Sequence, residues 1–140
     1  MRTWLRRAFG RGTGPDLRLA QSLGAFSSPE AGISPLHVFF EVGNAGDAEV
    51  EVDRIYVTAS GDPAVVHEIP LGPDRPRPLK LAPGASARFH TRAKALAGDL
   101  KRAGHEGRPK VTLVVEDALG DRVEKTFRFR VDEYLALKDE

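Results

Sequence analysis

The chain has 140 residues, 41% of them hydrophobic and 29% charged, with a formal net charge of +1. That composition suits one globular domain with a single core, and it gives no overall drive toward nucleic acid or an anionic membrane. Cysteine is absent, which excludes disulfides, thiolate metal sites and cysteine nucleophiles, and no cofactor is expected.

The start, MRTWLRRAFGRG, lacks the apolar run of a secretory signal, and no segment approaches the roughly 20 apolar residues of a membrane span, so a cytoplasmic protein is expected. Charge is concentrated at the ends. Arg2, Arg6, Arg7, Arg11 and Arg18 stand against Asp16 alone, while Asp132, Glu133, Asp139 and Glu140 face only Lys138. Trp4, Leu5, Ala8 and Phe9 recur at helical spacing opposite Arg2, Arg6 and Arg7, the pattern of a short amphipathic helix that needs a partner surface to persist. Gly10, Gly12, Gly14 and Pro15 then form a connector. Those glycines lack the strand before and the helix after that a dinucleotide-binding loop requires. The organisation read from the chain is a basic arm with its linker over residues 1–15, a β-domain over 16–132 and an acidic tail over 133–140.

Asp16 to Ala20 alternates weakly as a first edge strand, and Ser27 to Pro35 reads as loop. From Leu36 the apolar residues Leu36, Val38, Phe40 and Val42 fall at even positions, and Asn44-Ala45-Gly46-Asp47 supplies turn chemistry before a second arm. In that arm Val50 and Val52 are even but Ile55 and Val57 are odd, which predicts a β-bulge or break near Asp53 and Arg54. Ala64 to Ile69 is a short strand. Pro70, Pro73, Pro76 and Pro78 exclude a central strand and mark a surface loop. Leu79 to Leu81 resumes, Ala82-Pro83-Gly84 turns, and Ser86 to Thr91 alternates with Ala87 and Phe89 inward.

Thr91 is placed to cap a helix whose apolar stripe is Ala93, Leu96, Ala97, Leu100 and Ala103, and Gly104 stops it. Two last strands carry Val111, Leu113 and Val115, then Val123, Phe127, Phe129 and Val131, joined at Ala118-Leu119-Gly120-Asp121. Glu133 to Glu140 forms a final helical turn or frays. The expected core is Val38, Phe40, Ile55, Phe89, Leu113, Val115, Phe127 and Phe129. Phe39, Tyr56 and Val114 point to the other face, where either the helix from Thr91 to Gly104 covers them, the preferred reading, or they form an exposed apolar patch that binds a partner.

About seven short strands with one helix between two late strands predict a mainly β fold, an antiparallel immunoglobulin-like β-sandwich. The stretch from Val38 to Val57 with Asn44-Ala45-Gly46, followed by Leu81-Ala82-Pro83-Gly84 leading into Ala87 and Phe89, resembles the bacterial adhesion-related and fibronectin-type immunoglobulin-like domains. The resemblance runs from about Pro35 to Val131 and implies a fold. The helix between Thr91 and Gly104 departs from that group, and the cysteine pair of antibody domains is missing.

His37, His67, His90 and His105 lack metal-ligand spacing, and three of them fall at outward strand positions, so they read as surface residues. The alternative is a ligand-binding or metal-dependent site built across strands from histidines and carboxylates. Glu116 and Asp117 read as residues solvating a hairpin turn in preference to an acid–base pair, and no serine sits in a G-x-S-x-G context. These observations favour a non-enzymatic interaction or structural module. Its expected contact residues are Arg2, Trp4, Leu5, Arg6, Arg7 and Phe9, docking onto a larger protein assembly or a membrane surface. Neither nucleic acid nor a small-molecule substrate is expected as a partner.

Overall fold

A computed structural model describes residues 16–30, 32–71 and 78–137. In chain order the elements are β1 (Leu17–Gly24), β2 (Ser27–Ser28), β3 (Gly32–Ile33), β4 (His37–Asn44), β5 (Val50–Ala59), β6 (Val65–Ile69), β7 (Leu79–Leu81) and β8 (Ser86–Arg92), then helix α1 (Ala93–Arg102), β9 (Lys110–Asp117), β10 (Arg122–Arg128) and helix α2 (Val131–Leu135). The fold is mainly β with antiparallel pairing throughout.

The alternation from Val38 to Val42 makes β4 the centre of a three-stranded sheet in the order β1-β4-β8. A second sheet runs β10-β9-β5-β6, with β7 pairing the first half of β5 on the same side as β6. The phase change in β5 is a bulge: Val52 faces Asp117 while Arg54 faces Glu116, which leaves Asp53 as the extra residue. The inserted residue lets Val50, Val52, Ile55 and Val57 all be buried in spite of their mixed parity.

Apolar residues of both sheets share one core. Val38, Phe40, Val42 and Phe89 come from the first sheet, and Ile55, Val57, Leu113, Val115 and Phe127 from the second, with Phe129 just beyond β10. The rings of Phe40 and Phe127 meet across the sheets, 6.1 Å between centroids. All eight residues expected in the core are buried there. Helix α1 adds Ala93, Leu96, Ala97 and Leu100 to this same core, the i, i+3, i+4, i+7 stripe that the sequence carries.

Several expectations are corrected. Thr91 does not cap α1: it lies within β8, Arg92 is the N-cap, and no side chain bonds the first turn. The stop does fall at Gly104, whose φ of +97° is cheap only for glycine. The segment from Ser27 to Pro35 is not all loop, since β2 and β3 pair through Ser27–Ile33 and Ser28–Gly32. The first strand reaches Gly24, and β10 ends at Arg128, so that Val131 opens α2. Tyr134 of α2 is buried in the core, so packing continues past residue 132. Helix α1 does not cover Phe39, Tyr56 and Val114. Those three are buried outside the core to which α1 belongs.

Candidate functional site

Two edges of the sheets lie side by side at each flank of the molecule, and the flanks differ. At one, α1 packs against β6 and β8. There the Nδ1–H of His67 donates to Asp99 Oδ2 at 2.6 Å, and Nε2 lies 2.8 Å from the hydroxyl of Thr91. A carboxylate accepts only, so Nδ1 carries the proton, while Nε2 and the Thr91 hydroxyl share a second hydrogen bond. Burial by itself raises the Asp99 carboxyl, but hydrogen bonds from His67 and Arg102 outweigh it and hold the group below the usual carboxylate range. His67 is therefore a half-buried strap joining β6, β8 and α1, in place of the outward surface residue expected.

On the outer face of the first sheet, Phe39 is covered by Phe26 and His90, with the Arg88 guanidinium stacked 4.3 Å from its ring centroid. His37, also read as outward, is buried, and its Nδ1–H donates to the Pro35 carbonyl at 2.8 Å. Burial pushes His90 below the ordinary imidazole range, and the nearby His37 and Arg88 act in the same direction. Phe26 remains half exposed at the edge of this cluster. On the outer face of the second sheet the Tyr56 hydroxyl donates to Glu116, which also pairs with Arg122 at 3.2 Å. Asp117 secures the following turn by accepting from the N–H groups of Leu119 and Asp121. Among the described residues, no group of three His, Asp or Glu side chains is placed to hold a metal.

The other flank carries a groove of about 380 Å³ between β1, the end of β10 and α2. Its positive charge follows from local sequence. In Phe127-Arg128-Phe129-Arg130-Val131 the apolar residues turn inward, which leaves Arg128 and Arg130 on the outer side. The loop before β9 runs alongside: Val131 N–H donates to Gly107 O at 2.9 Å and Phe129 N–H to Pro109 O at 3.1 Å. Those bonds set Arg108 beside the other two, and Arg128 donates to the Arg108 carbonyl at 3.1 Å. Gln21, Ser22 and Leu23 of β1 form the facing wall, and Phe129 and Tyr134 also line the groove.

Few negative charges answer these guanidiniums. Arg130 has Glu133 at 3.5 Å, with both side chains about half exposed. Asp132 is committed elsewhere, accepting from the Gly107 N–H at 2.6 Å and from Lys101 at 3.1 Å, and those contacts hold its carboxyl below the usual range. Among the described residues no carboxylate pairs with Arg108 or Arg128. Tyr134 is only 7% exposed, and no described residue bonds its hydroxyl.

The expected contact residues Arg2, Trp4, Leu5, Arg6, Arg7 and Phe9 lie outside the described residues. The three groove arginines escaped sequence reading because Arg108 is 20 residues from Arg128. The alternation of Phe127 to Val131 was the available signal, and it places Arg128 and Arg130 on one face without revealing what stands opposite.

No family model matches the chain, and no curated protein matches its sequence. Among solved structures, a structural genomics target designated SoR45 is 13% identical, with 89% of this chain and 93% of that one covered and a TM-score of 0.38. A Bordetella pertussis protein provisionally named ApaA is 18% identical, with 84% of this chain and 95% of that one covered and a TM-score of 0.40. At those scores neither likeness bears on function. Among the described residues no helix is long and apolar enough to cross a membrane.

Proposed function

We propose that this chain is a non-enzymatic interaction module on an immunoglobulin-like β-sandwich scaffold, and that the arginine groove holds an anionic group of a partner protein. The observation that supports this reading is the meeting of Arg108 and Arg128 at one groove with no carboxylate among the described residues to pair them. Like charges gathered on a surface repel one another, and a bound anion relieves that repulsion while accepting charge-assisted hydrogen bonds. The arm over residues 1–15 adds a second anion-seeking element in this proposal, with Arg2, Arg6 and Arg7 for charge and Trp4, Leu5 and Phe9 for apolar contact.

Amide chemical-shift mapping by NMR tests the groove. An oligoglutamate peptide is expected to shift Gln21 to Leu23, Arg108 and Arg128 to Tyr134, and an oligolysine peptide is not. Reversing Arg108 and Arg128 to Glu is expected to abolish those shifts. Shifts spread evenly over the surface, or unchanged by the double reversal, defeat the proposal. Binding to anionic liposomes in place of the peptide assigns the surface to a membrane and also overturns it.

A further inference from the structure

We infer that the groove is built for a phosphate monoester, carried on a phosphorylated side chain of the partner; this rests on the reading of the groove as the anion site. Charge is the first reason. Three guanidiniums and the single carboxylate of Glu133 leave two positive charges at the groove. A phosphate monoester carries about −1.5 to −2 near pH 7, against −1 for a carboxylate, so it balances the site where an acidic side chain balances half of it.

Donor geometry is the second reason. Arg108 and Arg128 each present a planar fork of N–H groups, and a phosphate has three oxygens to accept from them. Tyr134, a residue nine-tenths buried that lines the groove and whose hydroxyl has no bonding partner among the described residues, supplies a further donor. A hydroxyl at a cationic groove with no protein partner is available to donate to an acceptor that enters the groove. A carboxylate that accepts one fork bidentately has fewer lone pairs left for the second fork and the tyrosine than the three oxygens of a phosphate.

Room and surroundings are the third. At about 30 Å³ per water, the groove of about 380 Å³ holds roughly a dozen waters, far more than a lone phosphate displaces. The remaining space, bordered by Leu23, suits the body that carries the phosphate. The facing wall is β1, the last strand of its sheet, so one backbone edge there has no neighbouring strand in the ladder. Such an edge offers N–H and C=O groups to an extended peptide, which favours a phosphorylated protein segment as the source.

The test compares phenyl phosphate with benzoate, which share a body and differ in head group, by NMR titration at constant ionic strength. Phenyl phosphate is expected to bind at least about tenfold more tightly, and its advantage is expected to grow as pH rises through about 6, where the monoester becomes a dianion. Tyr134→Phe is expected to lower phenyl phosphate affinity several-fold with the melting midpoint unchanged, and Arg108→Gln about tenfold. A short Ala-Gly peptide with a central phosphoserine is expected to shift the same amides, whereas vesicles containing phosphatidate are not expected to bind. If benzoate equals phenyl phosphate, the phosphate proposal falls and the anion groove stands. If neither shifts the groove amides and oligoglutamate also fails, both fall. Binding of phosphatidate vesicles without the phosphoserine peptide overturns the assignment to a protein segment.

Discussion

Asn44 is 2% exposed, and its side-chain amide is fully used: Nδ2 donates to the carbonyls of Ala48 and Leu81, at 2.8 and 2.9 Å, while Oδ1 accepts from the Gly46 N–H at 3.0 Å. One residue thus closes the β4–β5 turn and ties it to the end of β7. Replacing Asn44 with Ala leaves a buried carbonyl without its donor, and a loss on the order of 2 kcal/mol is expected in urea denaturation; a loss below about 0.5 kcal/mol shows that water replaces the amide freely. The turn role of Asn44 was legible from Asn-Ala-Gly-Asp, but the bond to Leu81, 37 residues away, was not, because local spacing says nothing about which distant carbonyl arrives. His67 failed to read correctly for a related reason. Alternation assigned it an outward face, and only the return of α1 over that edge buries it. The strap makes a pH prediction. Because the folded state holds Asp99 below its ordinary value, its contribution is fully present above the unfolded pKa of about 3.9 and is lost as pH falls through the folded value. Asp99→Asn is therefore expected to melt below the wild type at pH 7, with the gap narrowing as pH approaches 3. A gap that stays constant with pH shows that the carboxylate charge is not what matters.

At the scale of elements, β5 was the most legible part of the chain and also the most constrained. Its valines change parity between Val52 and Ile55, and the ladder absorbs that change by leaving Asp53 unmatched opposite Asp117 and Glu116. Deleting Asp53 removes the unmatched residue and puts Val50, Val52, Ile55 and Val57 on one parity, so a regular ladder keeps all four buried and leaves the pairings with β7 and β9 in place. No apolar residue is exposed by that change, so the deletion variant is expected to fold and to stay within about 2 kcal/mol of the wild type in urea denaturation. A variant that fails to fold shows that the bend and twist at the bulge are themselves needed to hold β5 against its neighbours. Strands read well wherever period two was clean, as in β4, β8 and β9. The helix start did not, because Thr91 has the chemistry of a cap yet its hydroxyl lies against His67. Nor did α2, whose Val131 continued the parity of β10 and whose Tyr134 stood among acidic residues that suggested a solvated tail.

For the molecule as a whole, the two flanks differ in how they are closed. The α1 flank is closed by Leu96 and Leu100 and strapped by His67 and Asp99, while the β1–β10 flank is left with arginines around an open groove. Phe40 and Phe127 span the core between them, and each truncation to Ala is expected to cost about 3–5 kcal/mol; because the two rings are in contact, the double variant is expected to cost less than the sum. Additive losses show that the two sites relax independently. The groove obeys a different rule. Arg108 is exposed, belongs to neither the core nor an ion pair among the described residues, and adds like charge beside Arg128. Arg108→Gln is accordingly expected to leave the melting midpoint at low salt equal to or above that of the wild type, since removing one of three neighbouring cations weakens their repulsion. The comparison narrows as salt is added, because screening removes the repulsion in both chains. A midpoint several degrees below the wild type at low salt places Arg108 among the residues that hold the fold, and the groove then loses its claim to be a surface kept for binding.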